Sequence, residues 1–208
     1  GRAVRIELAD EMIDIWQKRA PQEDSHYSGS YLDGFTMNMN FEDFHRLPAL
    51  NVRLGEVTGL SMRHFHLFER ESMNDFLESF PNLRTLNLAG TDLRLPDIDG
   101  NLESALPPQI SRLRHLTWLN LRDTEMAFTG VMASKLSELT QLQHLDLSDN
   151  PLAVPPLVVG MNELRELDLR NTRITTCPIG IMDQPYLERL DLRENQITRV
   201  PPAVVSQA

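Results

Sequence analysis

Leucine recurs along this chain in one fixed pattern, L-x-x-L-x-L-x-x-(N/T)-x-(L/I/M), with mostly polar residues between. The first copy is the loosest, and the six copies begin at Val57, Leu83, Leu116, Leu142, Leu164 and Leu187. Successive copies start 26, 33, 26, 22 and 23 residues apart. In an L-x-L segment the side chains alternate between two faces, so the leucines point to a core and the residue between them to solvent. The pattern predicts stacked repeats with one short strand each, because no repeat can bury its apolar edge alone.

This is the pattern of the leucine-rich repeat. The predicted fold class is α/β: a right-handed, horseshoe-shaped solenoid with a parallel sheet on its concave side and helices and turns on its convex side. Residues 72–80 and 131–142 place apolar side chains at helical spacing, with Ser72 as the N-cap of the first helix. The repeats of 22 and 23 residues are too short for a helix, and their prolines predict extended or 3₁₀ returns. Asn or Thr suits the corner of each repeat because its side chain can hydrogen-bond neighbouring backbone groups.

The chain before the repeats is predicted to cover the open end of their core. Residues 3–19 have the pattern of an amphipathic helix. The apolar side chains available for burial on it are Val4, Leu8, Met12, Ile15 and Trp16. A polar loop is expected over residues 21–30, and Leu32, Phe35 and Met37 then mimic a degraded first strand.

The sequence therefore predicts two parts. Residues 1–50 form an N-terminal helical cap with a degenerate first strand, and residues 51–208 form a solenoid of about six repeats. The final segment, VPPAVVSQA, stops where a further repeat would begin, and an uncapped end would expose apolar edges. We therefore expect a solenoid truncated at its C-terminus, a monomeric module of a longer chain.

Charge and composition exclude several functions. The 208 residues carry 20 basic and 30 acidic side chains, a net charge of −10, which disfavours a nucleic-acid-binding protein. No apolar run approaches the ~20 residues of a membrane-spanning helix. The charges interleaved through residues 1–20 do not fit a cleavable secretion signal.

No catalytic, cofactor-binding or metal-binding site is predicted, and the chain is not expected to be an enzyme. It has no phosphate-binding glycine loop, no G-x-S-x-G and no H-E-x-x-H. The single cysteine, Cys177, occupies the repeat position that Val200 takes in the next repeat, so a small core residue is expected rather than a nucleophile. Residues 97–103 weakly resemble a calcium loop, and His64 with His66 could hold zinc. The favoured interpretations are a solvated turn and surface histidines.

Three rows of side chains are predicted to face out of the concave sheet, one member per strand. The first row contains Gly59, Thr85, Trp118, His144, Glu166 and Arg189. The middle row contains Ser61, Asn87, Asn120, Asp146, Asp168 and Asp191. The last row contains Arg63, Ala89, Arg122, Ser148, Arg170 and Arg193. Because neighbouring strands lie about 4.8 Å apart, we expect carboxylates and guanidiniums to form ion pairs across strands.

The charged rows have two interpretations. Either they only solvate the sheet and connect its strands, or they form a docking surface for a protein partner. Trp118 favours docking, because an outward tryptophan among polar groups is typical of an interface. The predicted partner-binding residues are Trp118, Asn120, Arg122, His144, Asp146, Asp168, Arg170, Arg189, Asp191 and Arg193. An insertion at residues 94–106 is a second candidate contact, because solenoid insertions form loops on one face.

The segments LDLSDNPLAVP, LRELDLRNTRI and LERLDLRENQITRVP resemble the repeats of large Pseudomonas-type bacterial proteins. In those proteins leucine-rich repeats precede a novel E3 ubiquitin ligase (NEL) domain, as in the shorter type III secreted effectors IpaH and SspH. The segment RIELADEMIDIWQKR resembles the helix that precedes the repeats. Since IpaH and SspH have nearly uniform repeats of about twenty residues, the longer repeats here fit the larger proteins better.

The resemblance implies a domain that selects protein partners for a bacterial, effector-like E3 ligase, whose catalytic cysteine lies in a later domain. It implies a bacterial protein that is either secreted into a host cytoplasm without a cleavable signal or kept in the bacterial cytoplasm. Lys18 and Lys135 are the only lysines, which reflects either codon usage or a ligase that avoids modifying itself. The alternatives are a cell-surface recognition domain and a purely structural spacer. One cysteine and no N-x-(S/T) sequon weigh against the surface alternative.

Overall fold

Short strands and helices alternate along the chain in the order that the repeats predict. The computed structural model describes residues 2–23, 25–40, 47, 50–64, 70–96, 99, 102–104 and 106–199. The helices are α1 (Arg2–Trp16), α2 (Arg70–Glu78), α3 (Pro108–Arg112) and α4 (Gly130–Leu136). The strands are β1 (Tyr27–Ser30), β2 (Gly34–Asn40), β3 (Val57–Arg63), β4 (Thr85–Asn87), β5 (Arg94–Pro96), β6 (Leu102–Ser104), β7 (Trp118–Asn120), β8 (His144–Asp146), β9 (Glu166–Asp168) and β10 (Arg189–Asp191). None of the helices in these ranges has the length and apolar character that crossing a membrane requires.

Eight strands form one sheet in the order β1-β2-β3-β4-β7-β8-β9-β10. Only β1 and β2 pair antiparallel, and the remaining neighbours are parallel. The register joins equivalent repeat positions, so Leu119 lies opposite Leu86 on one side and Leu145 on the other. These three leucines are at most 2% exposed, and they stack into a continuous core. The predicted α/β fold, a leucine-rich repeat solenoid with a parallel sheet, is confirmed.

The corners after β4, β7, β8 and β9 each hold a buried Thr or Asn that joins two repeats, and the corner after β10 holds the half-buried Asn195. Asn150 is 1% exposed, and its Oδ1 accepts hydrogen bonds from the backbone N–H groups of Thr124 and Met126, each at 3.0 Å. Its Nδ2 donates to three carbonyl oxygens, of which that of Leu121 in the preceding repeat is nearest at 2.7 Å. Asn195 makes the same kind of contact with the repeat before it. The hydrogen-bonding role predicted for the corner is therefore present.

The helical return over residues 72–80 is present as α2. Its buried side chains, with those of the turn that follows, are Met73, Phe76, Leu77 and Phe80. The rings of Phe76 and Phe80 meet edge to face, with their centroids 5.1 Å apart. Ser72 lies inside α2, which includes Arg70, so the prediction of Ser72 as the N-cap is wrong.

The second helical return is shorter than predicted. α4 begins after Thr129, whose hydroxyl accepts a hydrogen bond from the N–H of Met132 at 3.2 Å, and it ends at Leu136. Beyond it, Leu139 and Leu142 remain buried but lie in tight turns that close onto the residue three positions earlier. The apolar spacing is thus satisfied by turns as well as by helix.

The two short repeats return without an α-helix, as their prolines predict. A single 3₁₀ turn spans Ile181–Asp183. Leu157 and Ile179, at equivalent positions of the two repeats, join them by a parallel bridge. In these repeats the convex side therefore consists of extended and 3₁₀ segments instead of helices.

The N-terminal segment forms the predicted helix but buries fewer of its apolar residues. Leu8, Met12 and Ile15 are buried on α1, whereas Trp16 is 66% exposed, so its predicted burial is wrong. Leu8, Met12 and Ile15 follow each other by four and three residues along one helical face. Trp16 lies about 100° away from Ile15, at the edge of that face, and it is the last residue of the helix.

The segment between α1 and the repeats extends the sheet by two strands. The polar loop predicted over 21–30 is partly wrong, because Tyr27–Ser30 forms β1, and the buried Tyr27 ring packs edge to face on Phe35 at 5.7 Å. The predicted first strand is present as β2, parallel to β3, with Phe35 and Met37 buried. Leu32 is 78% exposed in the turn before β2. The division of the chain at residues 50 and 51 stays a prediction.

Candidate functional site

The first row crosses the sheet in the predicted register. Trp118 lies opposite Thr85 and His144, and Glu166 lies opposite His144 and Arg189. The outer face of the sheet that carries these rows is called the concave face below. On it lies a concavity of about 200 Å³. The side chains that give it polar or aromatic character are Trp118, His144, Asp146, Glu166, Asp168 and Arg189. Five candidate positions therefore converge on one place, although partner binding there stays a prediction.

Glu166 is the lining residue that the candidate set from the sequence lacks. Its Oε2 lies 3.5 Å from His144 Nδ1, and in the sheet register it faces Arg189. The signal that could have found it was present, because Glu166 belongs to the first row together with Trp118.

Side chains of the middle row form hydrogen-bonded caps at the ends of their strands. In five strands the side-chain Oδ1 accepts a hydrogen bond from the backbone N–H two residues further on, at 2.9–3.1 Å. The residues that do this are Asn87, Asn120, Asp146, Asp168 and Asp191. This is the local hydrogen bond that Asn and Asp form readily, and it turns the chain out of the sheet. Part of the row's chemistry is therefore structural.

The ion pairs predicted across strands are wrong for the two C-terminal arginines. Arg193 binds its own repeat's Asp191, with Nη2 2.6 Å from Oδ2 and Nε 2.9 Å from Oδ1. Arg170 lies 3.8 Å from Asp168 of the same repeat. The cap explains this, because the turn that brings the N–H back to the carboxylate also brings the guanidinium of the same residue over it.

Arg122 does pair across repeats, but with a partner outside the middle row. Its Nε lies 2.8 Å from Asp149 Oδ2, and Asp149 Oδ1 accepts a hydrogen bond from Asn171 Nδ2 at 3.0 Å. The three side chains thus connect three successive repeats along the edge of the sheet. This contact supports the stack, and it leaves Asp146 to face solvent without Arg122.

The three carboxylates of the middle row differ in their electrostatics. Hydrogen bonds from the Arg193 side chain lower the pKa of the buried Asp191 to about 2. Burial raises the pKa of Asp168, and the charges of Asp146 and Asp191 add to that rise, while the backbone N–H and the charge of Arg170 oppose it. Within the described ranges, Asp146 has no basic side chain within 4.0 Å. The row is therefore neutralised at Asp191, partly neutralised at Asp168 by Arg170 at 3.8 Å, and uncompensated at Asp146.

Replacing Arg193 by Gln is expected to raise the pKa of Asp191 from about 2 toward its ordinary value of 3.8. Because the folded-state pKa is depressed, the pair stabilises the fold above pH ~4 and loses that effect as the pH falls toward 2. An NMR titration of the Asp191 carboxyl measures the shift. The urea midpoints of parent and variant should differ at pH 5 and converge near pH 2. Arg173→Gln removes another exposed arginine and should leave the Asp191 titration unchanged; an equal shift there would contradict the assignment.

The described residues of the insertion at 94–106 form a pair of strands, called the hairpin below, that is tied to the next repeat. β5 and β6 pair antiparallel, and Ser104 Oγ donates to the Glu125 carbonyl at 3.0 Å and accepts from the Ala127 N–H at 2.9 Å. Arg94 pairs with Asp92 at 2.7 Å and lies 3.7 Å from Glu125. The hairpin is thus anchored beside a repeat corner, and its predicted contact with a ligand stays a prediction.

The weak metal candidates gain no support. Asp97 and Asn101 of the calcium-like segment, and His66 of the histidine pair, lie outside the described residues. Among the residues that are described, no group of three or more His, Cys, Asp or Glu side chains could hold a metal ion. His64 is exposed.

Cys177 packs against the core, as the repeat register predicts. It is half-buried beside the core cluster, and burial raises the pKa of its thiol. A raised pKa keeps the thiol protonated at neutral pH, and the thiolate is the reactive form. Its position therefore matches a packing role.

The sequence and its fold match the leucine-rich repeat. The family model described as Leucine Rich Repeat matches residues 141–161 and 186–207. Receptor-like protein 6 of Arabidopsis thaliana is 30% identical over 138 residues, which cover 61% of this chain and 13% of that protein. Tsukushi of Gallus gallus is 30% identical over 119 residues, which cover 49% of this chain and 31% of that protein. The chain thus spans less than a third of the length of these relatives.

Solved structures share the fold at low sequence identity. A plant peptide hormone receptor, RGFR1 in complex with RGF2, superposes with a TM-score of 0.56 at 19% identity, covering 85% of this chain and 26% of that one. An internalin of Listeria monocytogenes gives a TM-score of 0.50 at 17% identity, covering 72% and 39%. A leucine-rich repeat protein of Leptospira interrogans gives 0.50 at 21% identity, covering 81% and 57%. The chain is therefore a leucine-rich repeat domain by fold, a class that typically mediates protein–protein interaction and is generally non-catalytic.

Proposed function

We propose that this chain is a recognition domain that binds a protein partner on its concave face, with Trp118 as the central contact. The observation that carries the proposal is the concavity of about 200 Å³ where the half-buried Trp118 lies among charged side chains of three neighbouring strands. Tryptophan at the centre of a polar surface contributes disproportionately to binding, because its large apolar area is removed from water by the partner.

Rigidity of the surface supports the proposal. The leucines behind the concavity, Leu119, Leu145 and Leu167, are at most 2% exposed, and a side-chain cap ends each of the strands that carry them. A surface built on packed strands loses little conformational entropy when a partner binds. The opposite charges of Glu166 and Arg189, with the polar ring of His144 between Trp118 and Glu166, give the same surface its selectivity.

Replacing Trp118 by Ala is expected to weaken binding of a concave-face ligand about thirtyfold, equivalent to about 2 kcal/mol. The ligands are peptides selected against the immobilised chain from a random-peptide display library, with affinities measured by fluorescence anisotropy. Trp16→Ala is the matched control, because Trp16 is the more exposed tryptophan, at 66%, and lies on α1. Trp16→Ala should change the affinity by less than about twofold. Equal losses in the two variants, or none in either, would contradict the concave-face proposal.

A finer proposal concerns the parent protein. We propose that the domain selects partners for a bacterial, effector-like E3 ubiquitin ligase delivered to a host cell by type III secretion. Its support is the likeness of segments such as LDLSDNPLAVP to NEL-linked repeats, together with the presence of only two lysines, Lys18 and Lys135. The test incubates the full-length gene product with E1, E2, ubiquitin and ATP. Ubiquitin conjugates that depend on that product are the expected result, and their absence contradicts the ligase proposal.

Without ligase activity, the proposal reduces to a general recognition module. The curated relatives fit that alternative, because they include a receptor-like protein. The Trp118 experiment distinguishes it from an inert spacer, since a spacer enriches no peptide whose binding depends on the concave face.

A further inference from the structure

The charges at Asp146 and Asp168 exceed what the fold requires. In the same row Asn87 and Asn120 form the same strand-ending cap with a neutral amide, at 3.1 and 2.9 Å. Asp146 and Asp168 make that bond at 2.9 Å each, so the cap itself explains an Asx residue but not its charge. Asp191 differs, because its charge is matched by Arg193 at 2.6 Å.

Neither of the two carboxylates accepts a hydrogen bond from a basic side chain in the described part of the chain. Asp146 Oδ1 is occupied by the N–H and hydroxyl of Ser148, at 2.9 and 2.6 Å, and both of these are neutral donors. Asp168 has Arg170 at 3.8 Å, beyond hydrogen-bond distance. The two residues are directly opposite in the parallel register of β8 and β9, about 4.8 Å apart. Like charges at that separation repel each other, which destabilises the fold unless something else compensates.

The surroundings define what would compensate. Glu166 has the His144 ring at 3.5 Å and lies opposite Arg189 in the sheet, and Asp168 has Arg170 at 3.8 Å. Among the described carboxylates that line the concavity, Asp146 is the one with no basic side chain within 4.0 Å. Trp118, one strand away from Asp146, offers an apolar and electron-rich ring beside them. A space of about 200 Å³ is smaller than a pocket for a drug-sized molecule, about 300–1,000 Å³, and suits one long side chain.

We propose that the concavity binds a basic side chain, arginine or lysine, of an extended partner segment, held by the carboxylates of Asp146 and Asp168 with its aliphatic stem against Trp118. This inference rests on the proposed function and specifies the chemistry of its partner. A guanidinium fits best, because its planar fork can donate to two adjacent carboxylates and stack on an aromatic ring. The methylene groups of the same side chain cover the indole, and the cation gains from the ring.

The experiment uses variants that keep the cap and remove only the charge. Peptides enriched from a random-peptide display library on the parent chain are compared for binding to Asp146→Asn/Asp168→Asn, which copies the residues at 87 and 120. The matched control is Asp75→Asn/Asp183→Asn, with the same change in net charge at two exposed positions on the convex side. In parallel, each enriched peptide is resynthesised with citrulline in place of arginine, or norleucine in place of lysine, and tested on the parent chain.

The expected result is a shared Arg or Lys position among the enriched peptides. Neutralising that position, or using the Asp146/Asp168 variant, should each lower the affinity about tenfold to a hundredfold, and the two changes together no further. The Asp75/Asp183 variant should bind as the parent does. Peptides that depend on Trp118 but share no basic position, or bind equally well with citrulline, overturn this inference and leave the proposed function standing. Peptides indifferent to Trp118 overturn both. The citrulline comparison needs no variant and holds even if Asp146→Asn/Asp168→Asn folds poorly.

Discussion

Replacing Asn150 by Ala is expected to lower the free energy of unfolding by about 3–5 kcal/mol, among the largest effects of any single substitution in this chain. The amide of Asn150 is 1% exposed and satisfies two backbone N–H groups and three carbonyl oxygens of two repeats. Alanine leaves those groups buried without partners, and each buried orphan costs about 1–3 kcal/mol before relaxation. Urea denaturation followed by circular dichroism at neutral pH measures the loss.

Asn120→Ala is the control for Asn150→Ala. Asn120 is half-buried and its side chain accepts one hydrogen bond, from the N–H of Arg122 at 2.9 Å. Because solvent can reach the freed N–H, we expect a loss of about 1 kcal/mol. Equal losses for the two asparagines would show that burial and the bridge between repeats do not set the stability of the corner.

Repetition made most of the fold predictable. Once L-x-L recurs in register, each strand, its neighbours and the row of every outward side chain follow, which is why Trp118, His144 and Arg189 lie where the sequence places them. What lies outside the repeat has no such redundancy. β1 and the exposed Trp16 depend on one packing solution at the end of the solenoid, where Tyr27 meets Phe35, and no second copy in the sequence reveals it.

The site was predicted in position but not in its pairing. Charge alternation suggested pairs across strands, yet Arg193 binds Asp191 at 2.6 Å in its own repeat. Pairing depends on side-chain direction at the strand end, which the cap to the N–H of residue 193 determines. A periodic sequence specifies which residues share a face, whereas the hydrogen bonds of each turn decide which of them meet.

The repeat pattern decides which residues share a face, and the hydrogen bonds of each turn decide which of them pair. Because these are separate, one surface can both support the fold and select a partner. At each strand end, the fold needs only an acceptor for the N–H two residues further on, and Asn or Asp supplies it equally well. The fold therefore does not determine whether the residue is Asn or Asp, and the requirements of binding can determine it instead. In this chain carboxylates lie opposite each other at Asp146 and Asp168, next to Trp118. Arg193 neutralises Asp191, Arg170 partly neutralises Asp168 from 3.8 Å, and Asp146 has no basic side chain of the described residues at ion-pair distance.

Leu167→Ala is expected to lower the free energy of unfolding by about 3–4 kcal/mol, and Leu190→Ala by less than half of that. The two leucines occupy the same repeat position and face each other in the sheet. Leu167 is 1% exposed between β8 and β10, whereas Leu190 is only half-buried on the last strand of the described sheet. In a stack of repeats each interior leucine is covered from both sides, so its removal leaves a cavity that cannot collapse from a free edge.

Leu145→Ala provides the calibration for this comparison, because Leu145 is 2% exposed between β7 and β9 and should lose as much as Leu167. Unfolding of the three variants in guanidinium or urea measures the losses. The slope of the unfolding free energy against denaturant concentration is compared with that of the parent chain. If Leu190→Ala matches Leu145→Ala, the stability of this solenoid does not depend on cover from the following repeat. If Leu190→Ala lowers the free energy of unfolding by less than half as much, as expected, the loss caused by removing a leucine depends on how many neighbouring repeats cover it. The stability of this chain is then a sum over adjacent pairs of repeats.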